Sequence, residues 1–418
     1  MITKLWSSSL ALLIALYGCG DDDMGVDGGA TDGASARDTG GVVRDGGSDG
    51  AVDAGPPRDA GPRPDGGPRP DAGACMDSCP AHDGVTWECE TRFMYGTNYA
   101  WSNFGGDFGG ISAWGQPGVA SARAQFSDEI SQMKAAGVNV IRWWMFPRFW
   151  TEAITFDGED TPSGIGGTLL ADVEAALALA EENDVYVMLT PFSFDSFTPT
   201  TTESGIYTPG LQPIVTNAAR RARLLENLVR PIARAVEESP NRRRMIAWDM
   251  INEPEWAIRG ANMYGGEDFG PDSRLTPVTH AEMERFLADM AAVLRSESTA
   301  LVSVGGAAIK WGTAWTHLGL DFYMLHYYDW VYEWFPYTTV TLESVGLADK
   351  PVVMGEFPNA GLSAVGGNPA RTVAQLTQDL WDHGYGGALS WAFSDGSFPW
   401  TPATLRAFAD AHPCESAF

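Results

Sequence analysis

The strongest constraint on the fold lies beyond residue 85, where eight short apolar runs recur, most of them separated by amphipathic segments. The runs are FMYGTNY (93–99), VNVIRWWMF (138–146), VYVMLTPF (185–192), MIAWDMINEP (245–254), LVSVGGA (301–307), FYMLHYY (322–328), PVVMGEF (351–357) and GALSWAF (387–393). ARAQFSDEISQMKAAG (122–137) sets Phe126, Ile130 and Met133 at helical spacing and stops at Gly137. Segments 169–183, 220–238 and 280–295 read as helices in the same way. Near-continuous apolar strands are the signature of a parallel sheet covered on both faces. Eight of them, with helices between, over about 330 residues predict an α/β fold, a (β/α)8 TIM barrel with loop insertions. An open doubly wound sheet is the rival, but no run leads into a G-x-G-x-x-G turn, and GGDFGG and GIGG read as glycine-rich loops.

The chain before the barrel is of another kind. MITKLWSSSLALLIALYGCG has one early Lys4 and an apolar stretch shorter than the about 20 residues that a spanning helix needs. Residues 1–18 read as an export signal that resembles the bacterial lipoprotein type, with Cys19 lipidated; an ordinary cleaved signal is the alternative. Residues 20 to 74 contain 12 Asp, 5 Arg and no aromatic residue, so no core can form there. The segment 19–74 is expected to be a disordered tether, which leaves 75–418 as the catalytic domain. The expected location is the bacterial cell envelope or surface, or the medium if the protein is secreted.

The formal charge of -27, with no dense basic run beyond Arg242 to Arg244, argues against nucleic acid as a partner. Cys75, Cys79, Cys89 and Cys414 on an exported chain imply two disulfides with three pairings open. Cys89 to Cys414 with Cys75 to Cys79 is preferred, because a closed barrel brings its first strand beside its last helix. A metal cluster lacks a His at suitable spacing, and DGEDTPSG (157–164) lacks the spacing of a calcium loop.

Active sites of such barrels form at the C-terminal ends of the strands, so the polar groups that end each run are the candidates. The fourth run ends in Asn252 and Glu253, the seventh in Glu356, the second in Arg142 followed by Trp143 and Trp144, and the eighth in Trp391. The sixth carries His326 and Tyr328, which at i and i+2 share a face. Two carboxyls over an aromatic-walled pocket suit glycosidic bond cleavage, where one must be protonated and the other ionised. Arg142 and the Tyr328 hydroxyl are placed to favour the ionised form of one Glu, whose charge then keeps the other protonated.

This set resembles glycoside hydrolase clan A, and within it glycoside hydrolase family 5: "NEP" at Asn252 to Pro254, "MGEF" around Glu356, "IRWW" at Arg142, "HYY" at His326 to Tyr328 and "LSWAF" at Trp391. The resemblance implies a retaining hydrolase with Glu253 as acid/base and Glu356 as nucleophile. It further implies that Asn252 holds a sugar 2-hydroxyl, that His326 lies near the acid/base, that Tyr328 and Arg142 contact the nucleophile, and that Trp391 forms a sugar platform. It implies no cofactor. Many members end strand three in a His, whereas "VMLTPFSFD" has none. With "YGTNYAW" and "VIRWWMF", that absence resembles the β-mannanase branch more than the cellulase branch, so β-mannan is favoured over β-glucan.

Each residue also has a plainer reading. Glu253 or Glu356 alone could be an ordinary loop carboxylate, Arg142 could pair with a structural acid such as Asp249, and His326 could be a core histidine. Among sixteen Trp, most pack; Tyr99, Trp101, Trp144, Trp256, Trp330 and Trp334 flank strand ends and are the candidate sugar-stacking residues, with Asp195 a candidate hydrogen bonder. The expected protein is a monomeric endo-β-glycosidase acting on a β-1,4-linked polysaccharide, held to a membrane only by its lipid. The alternatives are an exo-β-glycosidase or transglycosylase of the same clan, or an inactive carbohydrate-binding surface lipoprotein.

Overall fold

A computed structural model describes residues 83–149, 152–395, 400–414 and 416. The expected signal peptide, Cys19, the tether 19–74, Cys75 and Cys79 lie outside the described residues. Eight parallel strands form the centre: β1 (Met94–Tyr99), β2 (Val140–Trp144), β3 (Tyr186–Thr190), β4 (Met245–Asn252), β5 (Leu301–Gly306), β6 (Tyr323–His326), β7 (Val352–Glu356) and β8 (Gly387–Ser390). Each pairs with its neighbours in sequence, β8 pairs back to β1, and β4 to β5 completes the ring. The barrel expected from the sequence is therefore closed.

Helices cover the outside. They are α1 (Arg123–Ala135), α2 (Leu169–Glu182), α3, α4 (His280–Glu297), α5 (Asp329–Trp334), α6 (Val373–Asp382) and α7 (Pro402–Ala411). The third runs Ala218–Leu224, passes through a π turn at Leu225–Val229 and continues as Arg230–Glu238. Thr279 and Glu282 form a reciprocal capping box that starts α4, satisfying N–H groups that a helix start otherwise leaves open. After β5 a 3-10 helix, Ile309–Leu318, stands where a full α-helix would complete the pattern. Two hairpins, Ile154–Phe156 with Pro162–Ile165 and Thr201–Glu203 with Ile206–Thr208, are insertions. The DGEDTPSG stretch makes the first hairpin's turn, where the Asp157 carboxylate accepts the N–H groups of Glu159 and Thr161.

Alternation along β1 shows how the barrel sorts its residues. Tyr95 and Tyr99 point outward to the helices, Tyr95 packing on Phe408 and Tyr99 on Phe126, while Met94 joins the barrel interior. The interior floor is apolar, with Met94, Val140, Met188, Leu301, Val353 and Leu389 in one buried cluster. Val85 and Trp87, from the hairpin Val85–Trp87 with Glu90–Arg92, belong to the same cluster and close the barrel's N-terminal end. Cys89 and Cys414 are both disulfide-bonded.

Candidate active site

The upper interior of the barrel is polar, and Arg142 organises it. The side chain is fully buried, and five hydrogen bonds occupy the five N–H groups of its guanidinium. Nε and Nη2 donate to Asp249 Oδ2 at 2.9 and 2.7 Å. Nη1 donates to Asn98 Oδ1 at 2.7 Å and to Glu356 Oε1 at 2.8 Å, and Nη2 donates to Asn252 Oδ1 at 2.8 Å. Burial works against the Arg142 charge, but Asp249 and Glu356 more than offset it. Asp249 also accepts from the Thr190 hydroxyl at 3.0 Å and the Gly305 N–H at 2.6 Å. Gly305 has to lack a side chain, since a Cβ there would lie 2.9 Å from Arg142 Nη2 and about 3 Å from both Asp249 oxygens.

Glu356, at the end of β7, is held at both oxygens. Oε1 takes the Arg142 bond, and Oε2 accepts from the Tyr328 hydroxyl at 2.7 Å, with His326 Nδ1 at 3.4 Å. Burial raises its carboxyl above the usual range; His326, Arg142 and Tyr328 oppose that rise, and the charge of Glu253 adds to it.

Glu253 follows β4 in a left-handed conformation, φ 47° and ψ 51°, that bulky residues seldom adopt. Its N–H donates to Gly305 O at 2.6 Å. Its Oε1 lies 2.7 Å from His326 Nδ1, and its Oε2 accepts from Trp256 Nε1 at 3.0 Å. Among the described residues no Lys or Arg pairs with this carboxyl, and burial pushes it up to about 7, the Trp256 hydrogen bond and Arg142 acting against the shift. Burial also pushes His326 down to about 4, so its imidazole is neutral near pH 7. A neutral ring can donate its Nδ1–H to an ionised Glu253 or accept the proton of a neutral one.

One oxygen of Glu253, one of Glu356 and a His326 nitrogen lie within 4.8 Å of one another. Among the described residues this is also the one cluster with the spacing of a metal site. Both Glu356 oxygens are already engaged by Arg142 and Tyr328.

Aromatic groups flank the pair on two sides. Trp101, Trp144 and Trp391 pack edge to face or tilted at centroid distances of 5.5, 6.2 and 5.4 Å, and the Arg142 guanidinium lies over Trp144. Trp391 Nε1 donates to Asp395 at 2.9 Å. On the Glu253 side, Trp256 packs against Trp311 and Trp330, and Lys310 lies over both of these rings.

Two expected site residues fall elsewhere. Tyr99 is a correction: its ring is fully buried between Phe126, Trp143 and Phe393, and its hydroxyl donates to Glu129. The odd-numbered residues of β1 face the helices, so Tyr99 cannot reach the mouth. Asp195 is buried in the turn after β3, where Ser193 is its hydrogen-bond partner. It makes no direct bond to either Glu, but its charge helps push the Glu253 carboxyl up. Burial also raises Asp195 itself, to about 6.

Asn98, Thr190 and Gly305 belong to the site and had no motif to mark them. Asn98 donates from Nδ2 to Gly355 O at 2.8 Å and Ser390 O at 3.1 Å, tying β1 to β7 and β8. Thr190 stands at the end of β3.

No protein-family model matches the chain. A mannan endo-1,4-beta-mannosidase of Cryptopygus antarcticus is 25% identical over 335 residues, covering 73% of this chain and 81% of that protein. One from Mytilus edulis is 23% identical over 351 residues, covering 73% of this chain and 85% of that protein. The solved β-mannanase structure from the blue mussel Mytilus edulis aligns with a TM-score of 0.61 at 20% identity, over 79% of this chain and 95% of that one, which places the two in one fold. The barrel is closed, the five motifs gather at its mouth, and the similarity, over 73% of the chain, runs to mannan endo-1,4-beta-mannosidases: the chain is a glycoside hydrolase whose site is similar to that of family 5 of clan A.

Proposed function

We propose that the protein is a retaining endo-β-mannanase that cleaves β-1,4-linked mannan by double displacement, with Glu356 as nucleophile and Glu253 as acid/base. The observation that carries this reading is the unequal pair of carboxyls with one oxygen of each within 4.8 Å, one carboxyl gripped by Arg142 and Tyr328 and the other by Trp256, with no Lys or Arg pairing with it among the described residues. Retaining enzymes hold their carboxyls about 5 to 5.5 Å apart, and inverting ones leave room for a water at about 6.5 Å or more. Support for mannan comes from the relatives' activity.

In the first step a Glu356 oxygen attacks the anomeric carbon while Glu253 gives its proton to the departing glycosidic oxygen. In the second, Glu253 takes a proton from water as the water's oxygen displaces Glu356 from the sugar. The charge of Arg142 stabilises the carboxylate that leaves, and His326, with Nδ1 2.7 Å from Glu253 Oε1, holds the acid/base in place. Asn252, with its carbonyl fixed by Arg142, presents its amide to the sugar, and Trp391 lies beneath it. An export signal over 1–18, Cys19 lipidation, a 19–74 tether and a monomeric catalytic domain complete the proposal.

A panel of mannan, glucomannan, cellulose, mixed-linkage glucan and xylan, read by product length, tests the substrate and the endo mode. Short mannan oligosaccharides released from mid-chain are expected. Mannose alone, or preference for cellulose, contradicts the assignment. Glu356→Ala should abolish turnover with the circular dichroism spectrum unchanged; a rate near wild type sinks the residue assignment.

A further inference from the structure

We infer that Glu255, the second acid of the "NEPEW" stretch, is a positioning residue that fixes the Glu253 carboxyl for proton donation. This rests on the acid/base reading of Glu253 and adds to it. The Glu255 side chain turns away from the mouth and is 1% exposed. Its Oε2 accepts the Ala307 N–H at 3.0 Å, and its Oε1 accepts Trp315 Nε1–H at 2.7 Å. Both donors lie beyond β5, so the carboxylate ties the short turn Pro254–Ala257 to the next strand's mouth and to the 3-10 helix after it.

That turn holds Glu253 from both sides. Upstream, the Glu253 backbone sits in its left-handed conformation with its N–H on Gly305 O. Downstream, Trp256 reaches back across three residues to donate to Glu253 Oε2, and its ring packs at 5.3 Å against Trp311, which belongs to the same 3-10 helix as Trp315. Glu255 lies between these two grips. A buried carboxylate held by N–H donors, with no Lys or Arg pairing with it among the described residues, is a costly choice for a purely structural staple, which an apolar residue would serve. Its acceptors instead define one geometry, and that geometry sets where the Glu253 proton lies.

The split between poor and good leaving groups tests this role. A mannan oligosaccharide needs its departing oxygen protonated, whereas a dinitrophenyl β-mannoside does not. Glu255→Gln, which replaces one acceptor by an NH2 facing an N–H, should lower kcat/KM on mannopentaose by about ten- to a hundredfold, within the range general acids contribute. On the dinitrophenyl substrate, kcat/KM should stay within about twofold, because that constant reports only the first displacement. Trp315→Phe removes one donor but keeps most of the bulk, and it should show the same split at smaller size even if Glu255→Gln folds poorly.

Glu253→Gln is the control, and it should show the split at full size. If Glu253→Gln splits the substrates while Glu255→Gln and Trp315→Phe slow both alike or neither, the positioning role is overturned and the acid/base assignment stands. If Glu253→Gln slows both alike, both assignments fall.

Discussion

Arg142 spends every N–H it has on four partners, and its burial makes each partner matter. Two of the four, Asp249 and Glu356, are acids, and Asp249→Ala should leave the guanidinium buried with half its neutralising charge gone. Breaking one side of a buried pair costs about 3 to 5 kcal/mol, so thermal melts should show a large loss of stability. A variant that melts with wild type would mean the pair carries no structural weight. Glu253, at about 7, sets the other expectation at this scale: an acid must carry its proton, so kcat/KM on mannan should fall as pH rises through about 7. A profile flat to pH 9 would contradict the assignment. Arg142, Glu253, His326, Tyr328 and Glu356 were legible because each is a polar residue ending an apolar run, a pattern that only a barrel mouth explains. Asn98 and Tyr99 show the limit, since they are adjacent and only the inward or outward parity of β1 separates them. Gly305 was illegible because its role is the absence of a Cβ against a pair formed by two other strands.

Among the elements, the strands and the long helices follow from apolar period and capping, and the loops do not. The hairpins at 154–165 and 201–208 are too short for period to mark them, and their turns are set by side chains such as Asp157 bonding to the backbone. The short helix α5 carries the clearest functional expectation outside the catalytic pair. Trp330 lies beside Trp256 and is partly buried, and Trp334, four residues on, is 65% exposed. Residues at i and i+4 share a helix face about 6 Å apart, so the two rings continue the aromatic path that starts at Glu253. Trp334→Ala should raise KM for long mannan several-fold and leave that for mannotriose unchanged. Equal effects on both chain lengths would remove Trp334 from the substrate path.

Across the whole molecule, the barrel separates an apolar floor from a polar mouth. The described chain begins at the hairpin that closes the floor, and the catalytic pair lies at the opposite end of the strands. The interior also carries carboxyls that burial pushes up: Asp107, Glu253 and Glu255 to about 7, and Asp195, where Arg148 and Arg274 oppose the rise, to about 6. Each binds a proton more tightly in the folded state than in the unfolded chain, so its contribution is full below about pH 4 and is lost as pH rises through about 7. The formal charge of -27 at pH 7 acts in the same sense by self-repulsion. The Tm at pH 5 should therefore exceed that at pH 8 by roughly 5 °C or more, and a higher Tm at pH 8 would contradict this account of the interior. The central claim is that two carboxyls on strands four and seven divide one displacement into two. Incubation with 2-deoxy-2-fluoro-β-mannosyl fluoride, followed by peptide mass analysis, tests it most directly. The account predicts one fluoromannosyl adduct on the peptide containing Glu356, absent from Glu356→Ala. An adduct elsewhere, or none while mannan is cleaved with inversion, would contradict it.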